Sequence, residues 1–262
     1  MSADQATLNS IADKLLIAEE ARQAIPPIST YYQDLTIEDC YDAQDVYVAK
    51  KVEAGGKVAG YKVGATGAES QTRFGVPEPV YGHTFSEGRT ESGGTIDLSA
   101  LIHPKIECEI GLRLGKDLKG PGVTLESALD AIDGVLGMFE IIDSRTQDWK
   151  VGYPEMLSDN GVQAGFVTGA IKPFNKEFDL GNVDCTFLHN GEVAVEGNSS
   201  MVLDNPANSL VWLANKRGAN GVVIPAGSII LSGSLTGLTT IDAGDTFEAQ
   251  FSEFDSISIS FK

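Results

Sequence analysis

The chain has 262 residues, with 37 acidic side chains against 19 basic ones and a formal net charge of −18. That balance repels nucleic acid and anionic membrane surfaces, and the basic residues form no patch, so those two partner classes are set aside. The length suits one large domain, or a large domain with a helical appendage.

Two helices are expected first. Leu8, Ile11, Leu15, Ala18 and Arg22 recur at helical spacing up to Ile25 and Pro26-Pro27. Thr36, with Asp39 three residues on, then caps a second helix through Tyr41, Val48 and Val52 that stops at Gly55-Gly56. Residues 58–64 read as a short glycine-flanked strand, and residues 95–98 lead into a longer one. That longer strand, Pro104 to Leu114, carries Ile106, Cys108, Ile110, Leu112 and Leu114 on one face and Glu107, Glu109 and Arg113 on the other. Residues 124–136 read as a helix returning the chain to a strand around Glu140. A hairpin follows over 185–189 and 192–196, joined by Asn190-Gly191. Asn205-Pro206 opens a helix that closes at Gly218, and the tail from Ile229 to Phe261 is glycine-punctuated strand. The fold class is therefore α+β: a helical N-terminal cap over residues 1–57, then a mostly β core over 58–262.

The chemistry is sought in the acidic strand. Glu107 and Glu109, two residues apart, stand side by side at roughly 6.6 Å along the strand. On that strand alone, glutamates wetted at a surface are the simpler reading. Glu140 changes the balance, because it sits alone in the apolar run Gly137-Met138-Phe139-Glu140-Ile141-Ile142, and a charge is seldom buried without a partner or a metal. Three carboxylates from two strands suit a hard divalent ion, Mg²⁺ first and Mn²⁺ close behind. Zinc is disfavoured, since no His or Cys cluster has ligand spacing.

Other catalytic patterns are missing. Gly64-Ala65-Thr66-Gly67 lacks the Lys-Ser/Thr ending of a phosphate loop, and no Gly-x-Ser-x-Gly elbow is present. His83, His103 and His189 are too scattered for a triad. Cys40, Cys108 and Cys185 are odd in number and widely spaced, which fits a reducing cytoplasm. No signal-peptide pattern opens the chain, and no stretch approaches the ~18 apolar residues of a membrane helix, so a cytoplasmic location is expected.

The segments Gly60-Tyr61-Lys62-Val63-Gly64, His103-Pro104-Lys105-Ile106-Glu107-Cys108-Glu109-Ile110, Glu140-Ile141-Ile142-Asp143-Ser144-Arg145, Asp159-Asn160 and Asn205 to Ala214 resemble the 2-keto-4-pentenoate hydratase and 4-oxalocrotonate decarboxylase family, part of the fumarylacetoacetate hydrolase superfamily. The similarity runs in order over nearly the whole chain. It implies a mixed β-roll core, Glu107, Glu109 and Glu140 as ligands of Mg²⁺ or Mn²⁺, and Lys62 as the active-site lysine; without it, Lys62 would read as a solvated strand lysine. It further implies a small 2-oxo acid as substrate and a homo-oligomer, with association to a companion hydratase or decarboxylase as a further option. Asp143 and Arg145 would support the ligands from behind, or form a structural ion pair.

Hydratases of the family carry an Asp in a Pro-Asp-Phe-Gly-like segment, which can position water. The matching run here is Glu78-Pro79-Val80-Tyr81-Gly82, with apolar Val80 in that place. The expectation is thus a decarboxylase acting on a 4-oxalocrotonate-like 2-oxo-enedioate through a metal-stabilised enolate. Hydration of 2-keto-4-pentenoate is the alternative, and a non-catalytic partner subunit the second. Two departures alter the substrate-binding set of Val80, Asp159, Val162 and Ser234. Gly161-Val162-Gln163 replaces an Ala-Ser-Ser-like run after Asp159-Asn160, and Ser232-Gly233-Ser234-Leu235 replaces a Thr-Gly-Gly or Thr-Gly-Ala loop.

Overall fold

The structure is a computed structural model that describes residues 2–262. Helices α1 (Gln5–Ala21), α2 (Ile28–Tyr31) and α3 (Ile37–Glu53) precede strand β1 (Val58–Gly64). The Asp4 side chain accepts from the Thr7 backbone N–H at the start of α1, and Thr36 and Asp39 form the expected capping box on α3. Leu8, Ile11, Leu15 and Ala18 form the buried stripe of α1. These helices lie directly on the β core: the Gln44 amide donates to the carbonyls of Tyr81 and Leu157, and the Tyr41 ring stacks on Tyr81 with centroids 4.4 Å apart.

The short helix α4 (Ala68–Phe74) leads to β2 (Val80–Phe85), and two three-residue strands, β3 (Arg89–Glu91) and β4 (Gly94–Ile96), follow. Strands β5 (Lys105–Leu114) and β6 (Ile132–Ile142) are joined through α5 (Leu125–Leu129). Then come α6 (Tyr153–Ser158), β7 (Gln163–Thr168), β8 (Lys172–Pro173), the hairpin β9 (Asp184–His189) with β10 (Glu192–Asn198), and α7 (Pro206–Gly218). The chain ends with β11 (Ile229–Ser234), β12 (Thr239–Thr240), β13 (Thr246–Phe251) and β14 (Ile257–Phe261). The α+β class, the N-terminal helices, the Asn190-Gly191 hairpin and the 206–218 helix are as the sequence leads one to expect.

Two elements differ. The helix expected over 124–136 is one turn, and residues from Ile132 onward belong to β6. Every residue of β6 except Asp133 is buried, so the strand is apolar on both faces, and such a run has no period that separates it from a buried helix. The strand near residue 95 does not run on into β5: β4 pairs in parallel with β14, and a 3₁₀ turn at Leu98–Ala100 intervenes.

The strands form two mixed sheets. The larger has the order β2-β1-β11-β5-β6-β7-β3, with β12 added to β5 and β8 to β6; the smaller has the order β10-β9-β13-β14-β4. Between them lie Cys108, Phe139, Phe187, Phe247 and Ile259, all buried, each large apolar side chain contributing about 1.5–3 kcal/mol to the core. The larger sheet curls until its ends meet. The Asn160 side chain accepts from His83 N–H at 2.7 Å and donates to His83 C=O at 2.8 Å, joining the outer strand β2 to the turn before β7. Gly82 allows that approach, since a Cβ there would sit 2.2 Å from the Asn160 carbonyl oxygen.

Candidate active site

Strands β5 and β6 are antiparallel neighbours with Glu107 directly opposite Glu140. Glu109, two residues along β5, shares the face of Glu107, so strand parity and register together collect three carboxylates on the inner side of the curl. One oxygen from each lies within 4.8 Å of the others. Glu109 and Glu140 are buried, and Glu107 is half-buried at the site's open side.

Strand β1 brings Lys62 to the same place. In a flat sheet β1 and β6, separated by β11 and β5, would stand about 14 Å apart. The curl and the two long side chains close the gap, and Lys62 Nζ lies 3.2 Å from Glu140 Oε2, with both side chains almost wholly buried. Bonds to the carboxylates are few. Glu109 Oε2 accepts from Gly233 N–H at 2.8 Å, where a bulge in β11 between Leu231 and Ser234 turns that amide inward. Glu109 Oε1 and Glu140 Oε1 are buried with no protein donor.

The electrostatics follow. Burial, then repulsion from Glu140 and Glu107, holds the Glu109 carboxyl far above the usual carboxylate range. Burial raises Glu140 to about 7 against the opposing pull of Lys62, and burial also raises Glu107. Burial alone would weaken the Lys62 ammonium, but Glu140, Glu107 and Glu109 outweigh it and raise its pKa. One ammonium thus faces three crowded carboxylates, two of which keep orphaned oxygens, which is a shortage of positive charge. Donor atoms about 2.1 Å from a common Mg²⁺ can be at most about 4.2 Å apart, so small side-chain shifts would bring these oxygens onto one hard ion. The all-carboxylate donor set fits magnesium or manganese.

Above this cluster opens a cavity of about 350 Å³, floored by Lys62 and Glu107. The size suits a small-molecule site, for which about 300–1,000 Å³ is usual. Val80, Ile142, Met156, Val162 and Leu238 give it apolar walls, Ser234 lies on one side, and α4 covers the outer part with Glu69, Ser70, Arg73 and Phe74. Val80, Val162 and Ser234 therefore line one cavity with Lys62. Asp159 does not reach it: its Oδ1 pairs with Arg145 Nε at 2.6 Å and its Oδ2 accepts from Arg145 N–H at 2.8 Å. Arg145 also donates to the carbonyls of Asp143, Asp159 and Gln163, tying the end of the Glu140 strand to the loop that carries Val162. Asp143 accepts from the backbone N–H groups of Ile102 and His103 and so fixes the entry to β5. A second cavity of about 260 Å³, bordered by Glu19, Asp143 and Arg145, contains neither Lys62 nor any of the three clustered glutamates.

Trp149, Met156 and Leu238 of the lining, and the Gly233 N–H that reaches Glu109, come together only through the fold and have no signal in the sequence.

Comparison with known proteins matches residues 57–259 to the fumarylacetoacetate (FAA) hydrolase C-terminal family model. A 4-oxalocrotonate decarboxylase from Pseudomonas sp. is 34% identical over 252 residues, covering 96% of each chain. A 2-oxo-hept-4-ene-1,7-dioate hydratase from Escherichia coli is 36% identical over 266 residues, covering 98% of this chain and 99% of the relative. The structure of 4-oxalocrotonate decarboxylase from Pseudomonas putida, complexed with magnesium and adipate, superposes with a TM-score of 0.96 at 31% identity, covering 100% of this chain and 99% of that one.

Proposed function

Because the chain belongs to the fumarylacetoacetate hydrolase superfamily, in its 2-keto-4-pentenoate hydratase and 4-oxalocrotonate decarboxylase family, we propose that it is a divalent-metal-dependent lyase that removes CO₂ from a 2-oxo-enedioate of meta-cleavage catabolism. Glu107, Glu109 and Glu140 hold one Mg²⁺ or Mn²⁺, and Lys62 moves the proton. The observation that carries this reading is the convergence of three carboxylates and a buried lysine, of which Glu107 and Lys62 floor a cavity with largely apolar walls.

A bound divalent ion supplies Lewis-acid stabilisation of negative charge on a 2-oxo oxygen. The chain supplies the rest. Val80, Ile142, Val162 and Leu238 exclude water and give the departing carboxylate an environment that disfavours the anion relative to neutral CO₂. Breaking that carbon–carbon bond in a 2-oxohex-3-enedioate releases an electron pair into the conjugated 2-oxo system, and the Lys62 ammonium delivers the balancing proton at C3. Ser234, at the cavity wall, offers a hydroxyl to the retained carboxylate. Asp143, Arg145 and Asp159 act at a distance, by holding the strand ends and the Val162 loop.

Decarboxylation is favoured over hydration by Val80. By the resemblance of Glu78 to Gly82 to the hydratases' Pro-Asp-Phe-Gly-like segment it takes the place of their Asp; it is buried and apolar at the cavity wall, and Glu107 and Glu69 are the acidic residues that border the cavity. Identity to the named relatives does not choose between the reactions, since the hydratase and the decarboxylase are matched at 36% and 34%. The test is incubation with Mg²⁺ and 2-oxohex-3-enedioate, with 2-hydroxypenta-2,4-dienoate run in parallel. CO₂ release from the first substrate is expected, and Glu107→Gln should slow it by at least about 100-fold. Consumption of the dienoate alone would assign a hydratase, and unchanged turnover in Glu107→Gln would remove that residue from the metal site.

A further inference from the structure

We propose that Phe74, Trp149 and Met201 form an apolar subsite in the outer part of the cavity, and that the substrate is a 2-oxo-enedioate carrying a hydrocarbon substituent, alkyl or aryl, on the carbon that loses CO₂. The inference rests on the 2-oxo acid reading above and adds what lies beyond the reacting atoms. Unbranched 2-oxohex-3-enedioate is much smaller than the drug-sized ligands for which a volume of about 350 Å³ is usual. Lys62 and Glu107 account for the floor, and the outer walls have room for a further group.

The backbone itself singles out Trp149. Asp148 and Trp149 both lie in the left-handed region, with φ of +56° and +52°, a conformation that costs free energy in residues other than glycine and is kept chiefly where function requires it. That turn sets the indole in the cavity wall, and its N–H donates to the His103 carbonyl at 3.0 Å. With its one donor satisfied by the protein, the ring offers a ligand only apolar surface. Its place is to one side of the carboxylates: Lys105, whose ammonium is 4.5 Å from the Trp149 centroid, stands roughly 6.6 Å along β5 from Glu107 on the same face. Phe74 ends α4, and Met201 closes the 3₁₀ turn Ser199–Met201 after β10, so three separate segments bring large apolar side chains to one opening. Met201 is 60% exposed, apolar surface at the cavity mouth that a bound hydrocarbon would remove from water. Glu69 and Arg73, which border the same opening, are exposed and keep their charged ends in water.

Saturated 2-oxo acids of increasing length test the subsite without turnover. By calorimetry in Mg²⁺, affinity should rise by about threefold per methylene from 2-oxohexanoate to 2-oxodecanoate, because the added carbons leave water for apolar walls. Trp149→Ala with Met201→Ala should lose most of that gain, and Trp149→Phe should keep most of it. Oxalate, too short to reach the outer walls, should bind the wild type and both variants alike. In turnover, kcat/KM for 2-oxo-5-propylhex-3-enedioate should exceed that for the unbranched acid by about tenfold in the wild type, and the double variant should bring the two level. A flat series in the wild type, or an undiminished slope in the double variant, would overturn the subsite. Equal loss of oxalate and 2-oxodecanoate would overturn it too, by placing Trp149 and Met201 at the metal end. Should the wild type decarboxylate neither dioate, the proposed reaction fails, while the chain-length series still decides the subsite.

Discussion

A neutral imidazole inside the roll makes His83 a point of acid sensitivity. The ring is 4% exposed, lies 4.8 Å from the Tyr61 ring centroid, and has a buried Nδ1 with no hydrogen-bond partner. Burial, then the charge of Arg217, pushes its pKa down to about 3. In the unfolded chain a histidine takes up its proton near pH 6.5, so the unfolded state binds more protons as pH falls below that value. The stability held by neutral His83 is thus complete above pH 6.5 and is lost progressively toward pH 3. Between pH 7 and 5 the loss is about 2 kcal/mol, and urea unfolding of His83→Gln should be flatter than the wild type by that amount. Parallel pH profiles would remove His83 as the cause. Other residues differ in how far they could be read in advance. Glu140 announced itself as one charge in an apolar run, and Glu107 and Glu109 by strand parity. Asp159 carried no hint that Arg145 would occupy both of its carboxylate oxygens, because that contact is made by the folded loop and not by spacing.

Among the elements, β2 and the turn before β7 determine whether the larger sheet closes, and with it how Lys62 and Val162 face each other. Gly82 stands opposite Lys62 in the β1–β2 register and against Asn160 on its other side. At a permissive strand site Gly→Ala adds about 0.4–1 kcal/mol of stability through the unfolded chain. Here the new Cβ would meet backbone, so Gly82→Ala should instead cost about 1–3 kcal/mol, seen as a lower Tm, and should reduce turnover by opening the roll. A wild-type Tm in that variant would mean that the Asn160 contact does not hold the sheet closed. The amphipathic and capped elements, α1, α3, α7 and the β9–β10 hairpin, were legible because one face of each meets water. Strand β6 was not, at its first half, because burial on both faces erases the period by which a strand is told from a helix. The short helix α4 and strand β2 gave no periodic signal at all, yet they roof and wall the cavity.

At the scale of the whole molecule, the curl of one sheet gathers β1, β5, β6 and β11 around a single buried cluster of charge. The order of strands in that sheet, with β11 inserted between β1 and β5, could not be read from the chain, since it joins residues 62 and 231 in parallel across most of the sequence. That insertion is what places the Gly233 amide on Glu109 and Lys62 beside Glu140. A divalent cation shared by three side chains, as proposed above, would satisfy the two orphaned carboxylate oxygens and offset the burial and mutual repulsion that raise the carboxyl pKa values. The most direct test is titration of the chelator-treated protein with Mn²⁺, followed by electron paramagnetic resonance, for the wild type and for Glu109→Gln. One ion per chain is predicted for the wild type, with binding weakened by at least about tenfold in the variant. Equal stoichiometry and affinity in the two proteins would contradict the shared site.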